Sequence, residues 1–202
     1  MCSPINTTSI NLVTDSGNPR RHLFWDTNLQ VVFAVTLMAV LGVSSVTPVL
    51  PSVANVFDLS PQSVAWVIAI FTLPGVLFTP VAGVLGDRIG RKAVLIPCLI
   101  LFAVAGTACG FVRSFEGLLV LRFFQGTGAA ALGAINVTLI GDLFSKQWRT
   151  AAMGYNAAVL SIGTGIYPAV GGGLALIAWY YPFFLPIIAL PVALWRSVFT
   201  RI

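Results

Sequence analysis

Charge is what this sequence has least of. Only 8% of its 202 residues are charged, whereas a soluble domain carries about 25% to cover its surface. With 57% hydrophobic residues and a mean hydropathy of +0.94, the chain lives in a bilayer. Histidine is almost missing as well. The single one, His22, sits in a polar leading segment, so Ser161 has no base for nucleophilic chemistry and no His-rich metal set can be assembled. The three cysteines, Cys2, Cys98 and Cys109, form no CxxC pair. Cys98 and Cys109 lie roughly 16 Å apart along one predicted helix, which is too far to bridge, and all three read as small apolar residues. No acidic residue falls in the middle of any apolar stretch. Gly86-Asp87 and Gly141-Asp142 stand at stretch ends and lack a glycine two residues earlier, so intramembrane aspartyl chemistry is not supported. The chain is not read as an enzyme, and no metal or organic cofactor is expected. A net charge of +5 does not imply nucleic acid, because the basic residues are scattered between apolar stretches without aromatic interleaving.

What the sequence has is long apolar runs. About 20 apolar residues cross ~30 Å of hydrocarbon. That ruler gives six spans, at about 28–50, 63–85, 93–112, 118–140, 153–175 and 177–199. Residues 1–23 are polar and aperiodic and read as a disordered cytoplasmic tail, in which the glycosylation-like Asn6-Thr7-Thr8 is a chance match. Residues 24–202 read as one bundle. Pro182, Pro186 and Pro191 in the sixth span are tolerable where neighbouring helices satisfy the freed carbonyls.

Basic residues set the direction. With the N-terminus in the cytoplasm, that side receives Arg20, Arg21, Arg88, Arg91, Lys92, Lys146, Arg149, Arg196 and Arg201, nine of the 11 basic residues. Arg113 falls outside, and Arg122 lies within the fourth span. A charge there costs several kcal/mol unless it is turned to protein or a wet cavity. Two readings are open: a snorkel to the outer headgroups, or a cavity wall made with Gln125, Ala129, Gly133 and Asn136, which share its helical face. The fifth span carries Gly154, Gly163, Gly165, Gly171, Gly172 and Gly173 with Pro168 among them, a pattern for close helix approach and a bend.

The densest charge lies between spans two and three. Gly83-x-x-x-Asp87-Arg88-x-Gly90-Arg91-Lys92 resembles, at every defined position, the signature loop of the major facilitator superfamily of secondary transporters. Arg122-x-x-Gln125-Gly126-x-Gly128-Ala129-Ala130 is similar to that family's fourth-helix motif. Gly154-x8-Gly163-x3-Tyr167-Pro168-x2-Gly171-Gly172 resembles its fifth-helix antiporter motif, with Tyr167 where the family usually has glycine, a bulk expected to obstruct the closest helix approach. Asp142 and Arg149 resemble its second cytoplasmic charge cluster.

The resemblance implies an all-α membrane fold: six transmembrane helices in one bundle of two inverted three-helix repeats. Pro80-x-x-Gly83 and Pro168-x-x-Gly171, near opposite ends of spans two and five, fit such an inversion. It implies secondary active efflux of small organic solutes or drugs by alternating access, driven by a proton gradient, with Arg122 and Gln125 in coupling. Gly83, Asp87, Arg88, Gly90, Arg91, Lys92, Asp142 and Arg149 form a cytoplasmic gate, on a short loop with a glycine for its tight turn, in which Arg91 can reach Asp142. Ser44 and Asn136 are cavity candidates.

Full members of the family have twelve or fourteen helices, so this chain matches one half. The expected partners are the lipid bilayer, a small-molecule substrate, and a second six-helix bundle or a second copy, and the default location is a bacterial inner membrane. The length fits a truncated product or domain fragment, a half-size protein that pairs, or a laboratory truncation. A lone bundle is expected to expose Arg122 to lipid. The alternative function is a membrane interaction subunit without transport, or an inactive fragment.

Overall fold

The computed structural model describes residues 27–194, and no strand occurs among them. The tail 1–23, with Arg20, Arg21 and His22, and the terminal Arg196 and Arg201 lie outside the described residues. The chain first runs as α1 (Thr27–Ser44), a 3-10 turn (Thr47–Val49) and α2 (Leu50–Phe57). Together these make one crossing, and its break has a cause in sequence. Pro48 and Pro51 supply no backbone N–H, so the α ladder cannot run through them and the chain tightens before resuming.

Asp58 ends α2 in the left-handed region at φ 50°, and α3 (Pro61–Ile89) starts at once. Ser60 caps it by accepting from the Ser63 N–H at 3.3 Å, with Pro61 in the first turn where its missing donor costs nothing. The signature segment was expected to be a tight-turn loop held by a glycine, beginning after about residue 85. Instead α3 stays helical through Ile89, and the reversal is made by Gly90 alone, at φ +97° and ψ 144°. A left-handed φ suits glycine, so one residue is enough to turn the chain into α4 (Arg91–Ala108). Helix α5 (Phe115–Leu143) opens on a second serine cap, Ser114, with Glu116 in its first turn, and α6 (Lys146–Ala175) follows after Phe144 and Ser145.

Six spans were expected; among the described residues five helices are long and apolar enough to cross a membrane. The stretch assigned to the sixth forms a 3-10 segment (Tyr181–Ile188) and a short helix, α7 (Ala189–Leu194). Pro182, Pro186 and Pro191 recur too closely for an uninterrupted α ladder. The alternation of directions gives the bundle two ends. One, the charged end, carries Gly90 and the Phe144–Ser145 turn; the other, the aromatic end, carries residues 58–60, 109–114 and 176–180.

Helix α5 is the central post, packed along α3 and α4. Its glycines explain the closeness. A Cβ added at Gly126 would overlap the Phe71 carbonyl of α3, and one at Gly128 would come within 2.8 Å of the Cys98 carbonyl of α4. On the other side, a Cβ at Gly171 of α6 would overlap the Ser45 carbonyl at the end of α1. The main core joins α1, α4 and α5 through Leu41, Leu95, Leu99, Phe102, Leu132 and Ile135, and a smaller core at the aromatic end contains Val49, Val53, Leu118 and Phe183. Burial is uneven: 61% of the first crossing's most apolar window is buried against 11% for α6, so α6 presents most of its surface outward.

Candidate functional site: a buried arginine and an exposed charge cluster

Arg122 stands in the second turn of α5 and is 1% exposed. The break in α1 is what holds it. Near its C-terminus the backbone shortens, with Ser45 N–H bonding the Leu41 carbonyl and Val46 N–H bonding the Val43 carbonyl. Ser45 Oγ adds a bond to Leu41 and Thr47 Oγ1 one to Val43, which leaves the Gly42 carbonyl without an intrahelical partner. Arg122 Nη1 donates to that carbonyl at 2.8 Å and to Gln125 Oε1 at 3.1 Å. A cation at a helix C-terminus also meets the negative end of the peptide dipoles. The guanidinium lies 5.5 Å from the Phe71 ring centroid and 5.0 Å from that of Phe183, so two rings provide further attraction.

Among the described residues no carboxylate pairs with it; the carboxylates Asp87 and Asp142 pair with Arg91 at the other end of the bundle. Arg122 Nε and Nη2 are buried with no hydrogen-bond partner. The centre is thus a fixed cation held by a helix end, an amide and two rings, with two donors left over. The snorkel reading, and the expected exposure of Arg122 to lipid, are corrected by this burial, because the described helices enclose the side chain with Gln125 of the expected face beside it. The small neighbours that permit the enclosure are Gly42, beside Phe71 and Phe102, and Gly106, on which the Gln125 amide rests.

The expected polar stripe divides. Gln125 and Asn136 are buried, Ala129 is half-buried, and Gly133 is exposed with nothing within 4 Å of an added Cβ. Asn136 does not reach Arg122. It donates to Thr36 Oγ1 of α1 at 2.7 Å, and Thr36 also meets Asn156 of α6. Ser44 is half-buried at the end of α1. Gly42, Thr36, Asn156 and Phe183 were not singled out from sequence; a lone threonine and glycine in an apolar run carry little signal, and Phe183 lies in the sixth span, whose described part is a 3-10 segment.

At the charged end, Arg91 bridges two acids. Its guanidinium pairs with Asp87, four residues earlier, and its Nε donates to Asp142 Oδ2 at 3.0 Å, tying α4 to the ends of α3 and α5. Both carboxylates are more than half exposed, at 62% and 55%. Arg149 does not join this pair. Its Nη2 donates to the Gly141 carbonyl, one of the free carbonyls at the end of α5. Arg88 is exposed, Lys92 is half-buried, and Gly83 has open space around it.

On α6, Gly154 is exposed with open space, and Gly163 is buried against Leu37, 3.1 Å from an added Cβ. Tyr167 was expected to hold α6 away, yet it lies half-buried beside the main core while the backbones touch one turn later at Gly171. Pro168 falls between the two, half-buried, and Gly172 rests near Pro48. The ring packs to one side of the contact line, so its bulk does not decide the approach.

Residues 32–201 match the family model described as Major Facilitator Superfamily. Multidrug resistance protein 1 of Bacillus subtilis (strain 168) is 32% identical over 156 residues, 77% of this chain and 40% of that protein. The Bacillibactin exporter of the same organism is 30% identical over 163 residues, again 77% of this chain and 40% of the relative. MFS-type efflux pump MMF1 of Pseudozyma antarctica is 30% identical over 186 residues, covering 89% of this chain and 34% of the pump. The chain therefore spans about two fifths or less of the length of these relatives. Among solved structures, the human organic anion transporter MFSD10 superposes with a TM-score of 0.68 at 21% identity, over 90% of this chain and 47% of that one. An inward-facing bacterial homolog of the human lysosomal transporter Spinster gives 0.69 at 21%, over 89% and 43%. At that identity the likeness concerns the fold.

Proposed function

The chain belongs to the Major Facilitator Superfamily, and we propose that it forms one half of a secondary active exporter of small organic solutes or drugs, driven by a proton gradient. It is a multi-pass membrane protein; the relatives named as a multidrug resistance protein, an exporter and an efflux pump support the outward direction. Positive residues favour a cytoplasmic charged end and N-terminus, with a bacterial inner membrane as the default location. A second bundle, from the same protein or another copy, completes the transport path along the outward faces of α3 and α6.

The observation that carries the coupling reading is Arg122. A guanidinium stays protonated, so it is the fixed pole of the exchange and not the group that titrates. Its free Nε and Nη2 can receive one anionic group, and protonation of that group would release it. Because no acid lies mid-membrane in this chain, the titrating group comes from the completing bundle or from the solute. Alternation between a held and a released anion biases which end of the path is open.

The test is solute movement in proteoliposomes containing the protein that carries this chain, with radiolabelled chloramphenicol as a neutral probe and norfloxacin as a carboxylate-bearing one. A pH gradient should drive accumulation of at least one, abolished by a protonophore. Flux indifferent to the gradient would remove proton coupling. No flux of any probe across a broad panel would favour an interaction subunit.

A further inference from the structure

Thr36, Asn136 and Asn156 make a polar relay across three helices that the arginine centre does not use. Thr36 is 3% exposed, and Asn136, at 6%, donates to its hydroxyl oxygen at 2.7 Å. That hydroxyl has one proton to give and two acceptors within reach. One is the Val32 carbonyl of its own helix, at 2.9 Å; the other is Asn156 Oδ1 on α6. It can satisfy one at a time.

The two choices differ in what they join. With the proton on Asn156, α6 is tied to α1 and, through Asn136, to the central post α5. With the proton on Val32 the tie is lost, yet the hydroxyl stays bonded within α1 and still accepts from Asn136. Release therefore leaves no newly unpaired donor in the core, and the half-buried Asn156 amide turns to whatever lies beside α6. The rest of the α6 attachment does not reach α1 through a hydrogen bond of this kind. Arg149 ties the start of α6 to the Gly141 carbonyl of α5, Trp148 and Val159 pack against the main core, and the backbone contact at Gly171 and Ser45 lies at the far end beyond Pro168.

We infer that Thr36 is a positioning residue: its single hydroxyl proton sets whether the charged-end half of α6 is registered against α1 or released, while the Gly171 contact holds the other half. As a step of transport this rests on the alternating-access reading above. The geometry of the relay does not.

The experiment measures spin-label distances in phosphatidylcholine nanodiscs, in a background with Cys2, Cys98 and Cys109 replaced by alanine. One pair, Ala93→Cys with Met153→Cys, reports the charged-end half of α6; a second, Val104→Cys with Val170→Cys, reports the far half. All four positions are exposed. Thr36→Val keeps the shape and removes the hydroxyl. It should raise the released fraction at the first pair roughly fivefold, the factor for one lost hydrogen bond, and leave the second pair unchanged. Thr36→Ser should behave as the parent. An unchanged first pair in Thr36→Val, or equal loosening in Thr36→Ser, overturns the inference. Should Thr36→Val spread both pairs through unfolding, Asn156→Leu, which deletes only the competing acceptor, must loosen the first pair alone, and failure to do so also overturns it. If the distances respond as expected while the parent moves no solute, the transport reading falls and the relay stands.

Discussion

Arg122 and Arg91 are the same side chain in contrasting surroundings. Arg91 has two carboxylates that are more than half exposed, although its own side chain is only 17% exposed and its Nη1 is buried without a partner; Arg122 is 1% exposed, has no carboxylate beside it among the described residues, and has two unused donors. An exposed pair gains little, typically under about 1 kcal/mol, because solvent screens it and two long side chains must be held. A buried cation without a counter-ion is costly unless dipoles and rings replace water. The broken end of α1, Gln125, Phe71 and Phe183 are that replacement. Where charge is dense the structure needs it least, and where a single charge is buried the whole bundle is arranged around it.

The sharpest way to break the contrast is through the glycines that enclose the buried side. Gly126→Ala drives a methyl into the Phe71 carbonyl and should destabilise by about 3 kcal/mol or prevent folding, as read by detergent melting and yield of monodisperse protein. Gly83→Ala, on the exposed side, meets open space within a helix and should be neutral or stabilising by up to about 1 kcal/mol. A second test removes a ring. Phe183→Ala should cost about 3 kcal/mol, since it deletes both a fully buried side chain and one wall of the guanidinium site; Phe183→Leu should cost less in stability while still weakening coupling. The smallest effect belongs to the exposed cluster. Asp142→Asn should lower stability by less than about 1 kcal/mol, and the difference should shrink further as salt is raised from low to molar concentration.

The bilayer, the long helices and the Arg91 cluster were legible because apolar length and charge pattern are local properties of the sequence. The serine caps and the reversal at Gly90 were not read from the sequence, and the helix reached Ile89 where a loop was expected. The sixth span shows what composition does not record: Tyr181–Ile188 is apolar, but its prolines make the described part of that span a 3-10 segment and not a continuous α-helix. The arginine's partners were hidden for a different reason. A Gly42 carbonyl becomes an acceptor only once Pro48 and Pro51 have interrupted the first crossing, and Thr36 meets Asn156 only across 120 residues of chain. Such contacts follow from tertiary placement, which no local pattern records.

The most direct test of the central claim places the two regions side by side in one assay. In proteoliposomes containing the protein that carries this chain, gradient-driven accumulation and gradient-free exchange of a transported probe are measured for the parent, Arg122→Gln and Asp142→Asn. The account predicts that Arg122→Gln loses accumulation while keeping measurable exchange, and that Asp142→Asn retains both. Accumulation at the parental level in Arg122→Gln, or its loss in Asp142→Asn alone, would place coupling in the exposed cluster and contradict the account.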